Sequence, residues 1–347
     1  MTIAAVVLAL ATALLTTPYA IAIAKKLNIV DNPNARKVHK QPIPRMGGIA
    51  IYLAFVVGVM ATGFYTRKVA ALLIACTLVM LIGLIDDMRG VSPKAKLIVQ
   101  VVAALVLISG GSCVRFITNP FTGGVIHLSW LGIPITVLWL AGMSNAVNLV
   151  DGLDGLSGGI SAIAACTTAV VCLAQGEVVT AALASVLAAA CVGFLRYNFH
   201  PAKTFMGDCG SLFLGFTLGS LGIMGLSKGA TVISIFIPLI IMGIPLFDTC
   251  FAIIRRMFLK KPIFEADKGH LHHRLLSFGF SHKQTVLVIY ALSSMMGACA
   301  ILMAVLTSAQ SMMVLILLTV STFAFADAIG VLRGEGHGLL QHHCKNS

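Results

Sequence analysis

The chain has 347 residues, is 58% hydrophobic and only 10% charged, and its mean hydropathy is +0.98. Soluble globular domains carry about 25% charged residues, so the composition excludes them and defines a polytopic, all-α integral membrane protein. A net charge of +12 would point to nucleic acid in a soluble protein, but here the basic residues sit at membrane boundaries and no nucleic-acid partner is expected.

Apolar runs of spanning length, about 17–25 residues, fall near 2–24, 46–64, 69–85, 97–112, 130–147, 157–174, 178–195, 209–227, 230–254, 285–307 and 311–330. This predicts about 11 transmembrane helices forming one domain over 1–330, followed by a short polar tail, 331–347. With the N-terminus outside, all of the 24 Lys and Arg residues except Arg67, Lys68, Arg115 and Lys228 fall in inner loops. The positive-inside rule then places the C-terminus in the cytoplasm. The first span lacks a basic leader and is followed by Lys25 and Lys26, so it reads as a retained helix and not as a cleaved signal. The nine cysteines have no paired spacing, and disulfides are not expected.

The first inner loop runs from Lys25 to Gly48 and is basic and broken by prolines. Pro42 and Pro44 set an extended approach to Gly47-Gly48, which predicts a shaped loop. Span three ends in Gly83-Leu-Ile-Asp-Asp-Met-Arg-Gly90. Adjacent carboxylates repel unless a cation is near, and Lys94, Lys96 or a bound Mg²⁺ could supply it. Ser92 and Pro93 read as N-cap and first-turn residues of the next helix. The outer loop 111–130 is turn-rich between short β-prone runs, predicting a small extracytoplasmic hairpin.

The most informative stretch is Ser144 to Gly159, which spaces Asn145, Asn148, Asp151 and Asp154 three apart on one predicted helix face at a membrane boundary. Such a polar stripe is expensive near lipid and marks chemistry more often than structure. Its glycines at 152, 155, 158 and 159 leave room for a ligand or another backbone. Next, Gly207-Asp-Cys-Gly-Ser211 at a helix start offers N–H groups for an anion and one carboxylate for a metal. The largest inner loop, 255–284, holds His270-Leu-His-His-Arg274. Zinc is one reading of those histidines, but no Cys lies close in sequence; donors for phosphate or sugar hydroxyls fit the flanking Lys268 and Arg274 better.

Of the acidic residues, Asp31, Asp86, Asp87, Asp151, Asp154, Asp208, Glu265, Asp267 and Glu335 all fall at inner loops or inner helix ends. A transporter would be expected to keep ionisable groups near the midplane. Chemistry gathered at one face favours an enzyme taking one water-soluble and one lipid substrate, with carboxylates for Mg²⁺ and bases for phosphate oxygens.

The set Met46-Gly-Gly, Gly83-x-x-Asp-Asp87, Asn145-Ala-Val-Asn-Leu-Val-Asp-Gly-Leu-Asp-Gly155, Asn198-x-x-Pro-Ala-x-x-Phe-Met-Gly-Asp-x-Gly-Ser211 and His270-Leu-His-His-Arg274 resembles the polyprenyl-phosphate N-acetylhexosamine-1-phosphate transferases. Within them it is most similar to the bacterial undecaprenyl-phosphate GlcNAc-1-phosphate transferases that start wall teichoic acid, enterobacterial common antigen or O-antigen synthesis. The resemblance implies transfer of GlcNAc-1-phosphate from UDP-GlcNAc to undecaprenyl phosphate, with UMP released and Mg²⁺ (or Mn²⁺) as cofactor. The site would face the cytoplasm on a bacterial inner membrane, in contact with membrane lipids, and a homodimer is allowed. The implied catalytic residues are Asp86, Asp87, Asp151, Asp154 and Asp208, with Asp208 and Asn148 on the metal. The implied substrate contacts are Lys37, His39, Lys94, Lys96, Asn145, Asn198, Phe205, Gly207, His270, His272, His273 and Arg274. The same motifs are partly shared by the pentapeptide translocase of peptidoglycan synthesis, so UDP-MurNAc-pentapeptide stands as the alternative donor.

Overall fold

A computed structural model of the protein describes residues 2–31, 42–118, 125–225, 236–258 and 271–328. The expectations placed on Lys37, His39 and His270, on the hairpin tip and on the 331–347 tail lie outside these residues. The described helices are α1 (Thr2–Lys26), α2 (Gly47–Thr62), α3 (Arg67–Arg89), α4 (Pro93–Ser109), α5 (Gly132–Val150), α6 (Leu156–Ala174), α7 (Val178–Asn198), α8 (Gly207–Gly225), α9 (Phe236–Ile241), α10 (Gly243–Phe258), α11 (Leu271–Ser277), α12 (His282–Val305) and α13 (Ser308–Ala328). Seven of them are long and apolar enough to cross a membrane; α2 and the 309–325 part of α13 are shorter apolar helices.

Packing follows from small residues. Along α1, Ala5, Ala9, Ala13, Thr17, Ala20 and Ala24 are all buried, a four-residue repeat that lines one helix face with methyl-sized groups. A Cβ added at Gly58 of α2 would collide with Ala9 and Val186, and one at Gly193 of α7 with Ala13. Backbones therefore approach closely, the way helices associate where no water is displaced. α8 is the hub: 94% of its apolar window is buried, and it packs on α2, α3, α5, α6 and α7. Its Gly215 lies against the backbone at Met143 and Ser144 of α5.

The predicted hairpin is present as β3 (Phe116–Thr118) paired antiparallel with β4 (Val125–His127). Ser92 caps α4, accepting from the Ala95 N–H, with Pro93 in its first turn. Three features depart from expectation. The ninth apolar run is broken at Met242 into α9 and α10, where Gly243 and Pro245 open a new helix in a turn that needs no N–H from proline. The 255–284 loop contains the short helix α11. β1 (Val30–Asp31) pairs antiparallel with β2 (Ile43–Pro44), because the two prolines hold the second segment extended.

The same end of the bundle collects the close of α1, α3, α5 and α7 and the start of α2, α4, α6, α8 and α12. Gly47 and Gly48 donate their N–H groups to Phe205 and Met206 carbonyls at 3.0 and 2.8 Å, and the Phe205 N–H reaches Pro44 at 2.8 Å. The Pro42–Gly48 segment is thus built onto the strap that precedes α8, the shaped loop its prolines predict.

Candidate active site

At this end lies an open basin of about 1060 Å³, at the upper limit of ordinary ligand clefts, roughly 300–1000 Å³. Its walls include Arg45, Asn148, Asp151, Asp154, Asn198, His200, Phe205, Gly207, Asp208, His272, His273 and His282. These come from five separate stretches of sequence.

The two adjacent aspartates divide the work. Asp87, whose side chain is fully buried, accepts the backbone N–H groups of Asp208 at 2.9 Å and Cys209 at 3.0 Å. It therefore caps α8 from another helix, satisfying donors that every helix start leaves open. The anion site anticipated at the Gly207-Asp208 turn is consequently filled by the protein's own carboxylate. Arg45 lies 3.2 Å from Asp87, 3.4 Å from Asp208 and 3.6 Å from Asp31, compensating the buried charge. Asp86 turns the other way, accepting the Val91 N–H at 2.6 Å and the Lys96 ammonium at 2.8 Å.

Lys96 also contacts Asp208 at 2.8 Å. Asp208 thus stands between two cations, one on each carboxylate oxygen. The cation expected beside the aspartate pair is Lys96, one helical turn into α4; Lys94 is exposed and lies off this cluster.

Asp151, just beyond α5, has no such cation in contact among the described residues. Burial, and then the negative charge of Asp208, push its carboxyl up to about 7, against a smaller opposing pull from Arg45. Asn148 donates to Ser211 Oγ at 2.8 Å, which fixes its amide on the α8 side of the basin. Asn145, one turn earlier, instead donates to Gln100 Oε1 at 2.9 Å and the Ala141 carbonyl and does not line the basin. The expected four-residue stripe therefore loses its first member to the α4–α5 interface.

The room left by the glycines is taken by side chains and not by open space. A Cβ on Gly152 would meet His272 Nε2 at 2.8 Å, and one on Gly159 would collide with Tyr290. Gly155, at φ +78°, starts α6 in a left-handed conformation and donates to Asn198 Oδ1 at 3.1 Å. Asn198 is buried and also donates to the Thr204 carbonyl, so it ties the 151–155 turn to the strap before α8. Phe205 and Gly207 line the basin itself. Asp154 accepts from the Ala202 N–H at 3.1 Å and contacts His200 Nδ1 at 2.8 Å. His272 and His273 face the basin from α11, while Arg274 is buried outside its walls.

Three residues of this site escaped the sequence reading. Arg45, His200 and His282 lie in stretches of ordinary polar character, and only the fold brings them to the carboxylates.

Asp151, Asp208 and Asn148 present hard oxygen donors, the type Mg²⁺ takes. The buried Asp151 carboxyl beside the negative Asp208, both on the basin wall with Asn148, is the observation that such an ion fits here.

A bundle of apolar helices with an acid-rich basin at one end, flanked by Arg, Lys and His, marks a multi-pass membrane protein with a polar site at a helix-end surface. Residues 69–226 match the glycosyl transferase family 4 model. Over 331 residues, 95% of this chain and 92% of the relative, the chain is 43% identical to a Bacillus subtilis (strain 168) protein named as a probable undecaprenyl-phosphate N-acetylglucosaminyl 1-phosphate transferase. It is 37% identical to the decaprenyl-phosphate N-acetylglucosaminephosphotransferase of Mycobacterium tuberculosis (strain ATCC 25618 / H37Rv), over 77% of this chain and 74% of that one. A phospho-N-acetylmuramoyl-pentapeptide-transferase of Halalkalibacterium halodurans is more distant, at 31% over 76% of this chain and 83% of the relative. The chain belongs to glycosyl transferase family 4, among its polyprenyl-phosphate sugar-phosphate transferases.

Proposed function

We propose that the protein transfers GlcNAc-1-phosphate from UDP-GlcNAc to undecaprenyl phosphate, giving undecaprenyl-diphospho-GlcNAc and UMP. The observation that carries this is the 43% identity to the Bacillus relative across 95% of the chain, which includes every wall of the basin. The product would prime a cell-envelope polysaccharide such as wall teichoic acid. The eleven-span arrangement, with the basin at the cytoplasmic surface, is supported by the basic inner loops.

In the reaction, an oxygen of the lipid phosphate attacks the β-phosphorus of the sugar nucleotide. One phosphorus–oxygen bond forms and the bond to the UMP oxygen breaks. A phosphate monoester has its second pKa near 6, so the acceptor is dianionic at neutral pH and needs no strong base.

Asp208, Asn148 and Asp151 would hold Mg²⁺, which when bound neutralises the diphosphate and the leaving phosphate. Lys96 and Arg45 hold Asp86, Asp87 and Asp208 in place. Asp86 positions Lys96 for the acceptor phosphate. Phe205 and Gly207 border the nucleoside, and Asn198 shapes that border through the 151–155 turn. His272 and His273 face the sugar phosphate.

UMP release from UDP-GlcNAc by the purified protein, with undecaprenyl phosphate and Mg²⁺ in detergent, tests the reading. Release with UDP-MurNAc-pentapeptide and none with UDP-GlcNAc would replace the donor. No release with either would remove the transferase reading and return the chain to a transport role.

A further inference from the structure

A second group of ligating side chains stands at the rim of the basin, apart from the Asp208 cluster. Asp154, from the α5–α6 turn, His200, from the strap before α8, and His282, the first residue of α12, place one ligand atom each within 4.8 Å of one another. Asp154 Oδ2 lies 2.8 Å from His200 Nδ1. The His200 and His282 rings are stacked, with centroids 4.4 Å apart and planes 21° from parallel. Both ring nitrogens of His282 are shut off from solvent, and neither reaches a hydrogen-bond partner in good geometry.

His282 is half-buried, and nitrogens closed to water gain from any partner that can reach them. A cation at the ring edges, reached by one nitrogen of each imidazole and one oxygen of Asp154, would account for their gathering here. Two nitrogens and one carboxylate oxygen are a borderline-soft donor set. It suits zinc and its neighbours and not Mg²⁺, which prefers oxygen alone.

We propose that Asp154, His200 and His282 form a transition-metal site of the zinc type, with two histidines and one carboxylate as ligands. Three protein ligands leave the fourth tetrahedral position to water, and all three residues line the basin, so that position is open to it. The Ala202 N–H on Asp154 Oδ2 supplies the outer contact that orients such a ligand. The ion would tie the α5–α6 turn, the strap before α8 and the head of α12 together. These three segments are distant in sequence.

The test uses the full chain in detergent, stripped with chelator and titrated with Zn²⁺. Wild type should bind one more Zn²⁺ per chain than His200→Gln or His282→Gln, or bind it at least tenfold more tightly. Its thermal midpoint should rise with Zn²⁺ while those of the variants do not, since binding only the folded state stabilises it. Co²⁺ should give the intense visible bands of four-coordinate nitrogen and oxygen ligation in wild type, weakened in both variants. A His272→Gln/His273→Gln double variant should keep the ion. Should His282→Gln not fold, His200→Gln serves alone, its ring being partly exposed. Equal Zn²⁺ stoichiometry and affinity in wild type and His200→Gln would overturn the site, as would loss of the ion only in the His272/His273 variant.

Discussion

Asp87 and Asp208, 121 residues apart, are joined by a hydrogen bond of 2.9 Å from the backbone N–H of one to the side chain of the other. The first helical residues of α8, which carry the Asp208 carboxylate, are therefore held by a residue of α3. The position of one acid is set by the other.

This makes Asp87 a positioning residue. Asp87→Ala leaves two α8 donors without partners and Arg45 without its nearest anion. The expected cost is about 2–3 kcal/mol, seen as a lower thermal midpoint in detergent. UMP release should fall at least a hundredfold, while Asp87→Asn, which keeps an acceptor oxygen, should recover part of the stability and little of the rate.

Asp86 and Lys96 act as one unit. Asp86→Asn should lower UMP release by a large factor, and raising the pH should not restore it, since the lipid phosphate is already ionised and proton removal is not what is lost. Lys96→Met should cost a similar factor. The double variant should be no worse than the poorer single one, because contacting residues of one network do not add. Full recovery of Asp86→Asn at high pH would assign Asp86 to proton removal instead.

Asp151 gives the protein a pH signature. In the unfolded chain its carboxyl ionises near 3.8, whereas in the metal-free fold the proton is held up to about 7. The folded state thus binds the extra proton, and stability from this group falls as pH rises between roughly 4 and 7, then levels. Metal-free wild type should show that fall in thermal midpoint, and Asp151→Asn should show a smaller one that levels earlier, since burial also holds the Asp87 carboxyl up to about 6. Above pH 7, Mg²⁺ should stabilise wild type and have a much smaller effect on Asp151→Asn.

Gly83 of α3 admits the α8 backbone, since a Cβ there would come within 2.6 Å of the Asp208 carbonyl carbon and of Cys209 Cα. Gly83→Ala has no flexible side chain to displace, so α3 and α8 must part. The expected destabilisation is about 1–3 kcal/mol. Activity should fall more than stability, because the shift moves Asp208. Thermal unfolding and UMP release measured on one preparation would show both.

Much of this arrangement can be read from the chain because it is local. Apolar run lengths give the helices, Ser92-Pro93 gives the head of α4, and β-prone runs around turn residues give β3 and β4. The gathering of carboxylates follows from counting helix ends. What cannot be read is who faces whom. No periodicity links Arg45 to Asp87 or Lys96 to Asp208, and Lys94 and Lys96 look alike until α4 is wound and set beside α3. The Asn145 to Asp154 spacing is that of a single helix, but α5 ends at Val150. Its members then separate, Asn145 toward Gln100, Asn148 toward Ser211 and Asp154 toward His200. Likewise glycines announce a close approach without saying what approaches, and at Gly152 it is His272.

Arg45 carries one further implication. A single guanidinium serves carboxylates from the short strand after α1, the end of α3 and the start of α8, so these three acids share a counterweight that none of them owns. Changes in the proline-bearing segment around it would accordingly be felt as altered turnover, although that segment contributes no carboxylate to the reaction. Activity in this protein is thus hostage to a connector that supplies only a counter-ion.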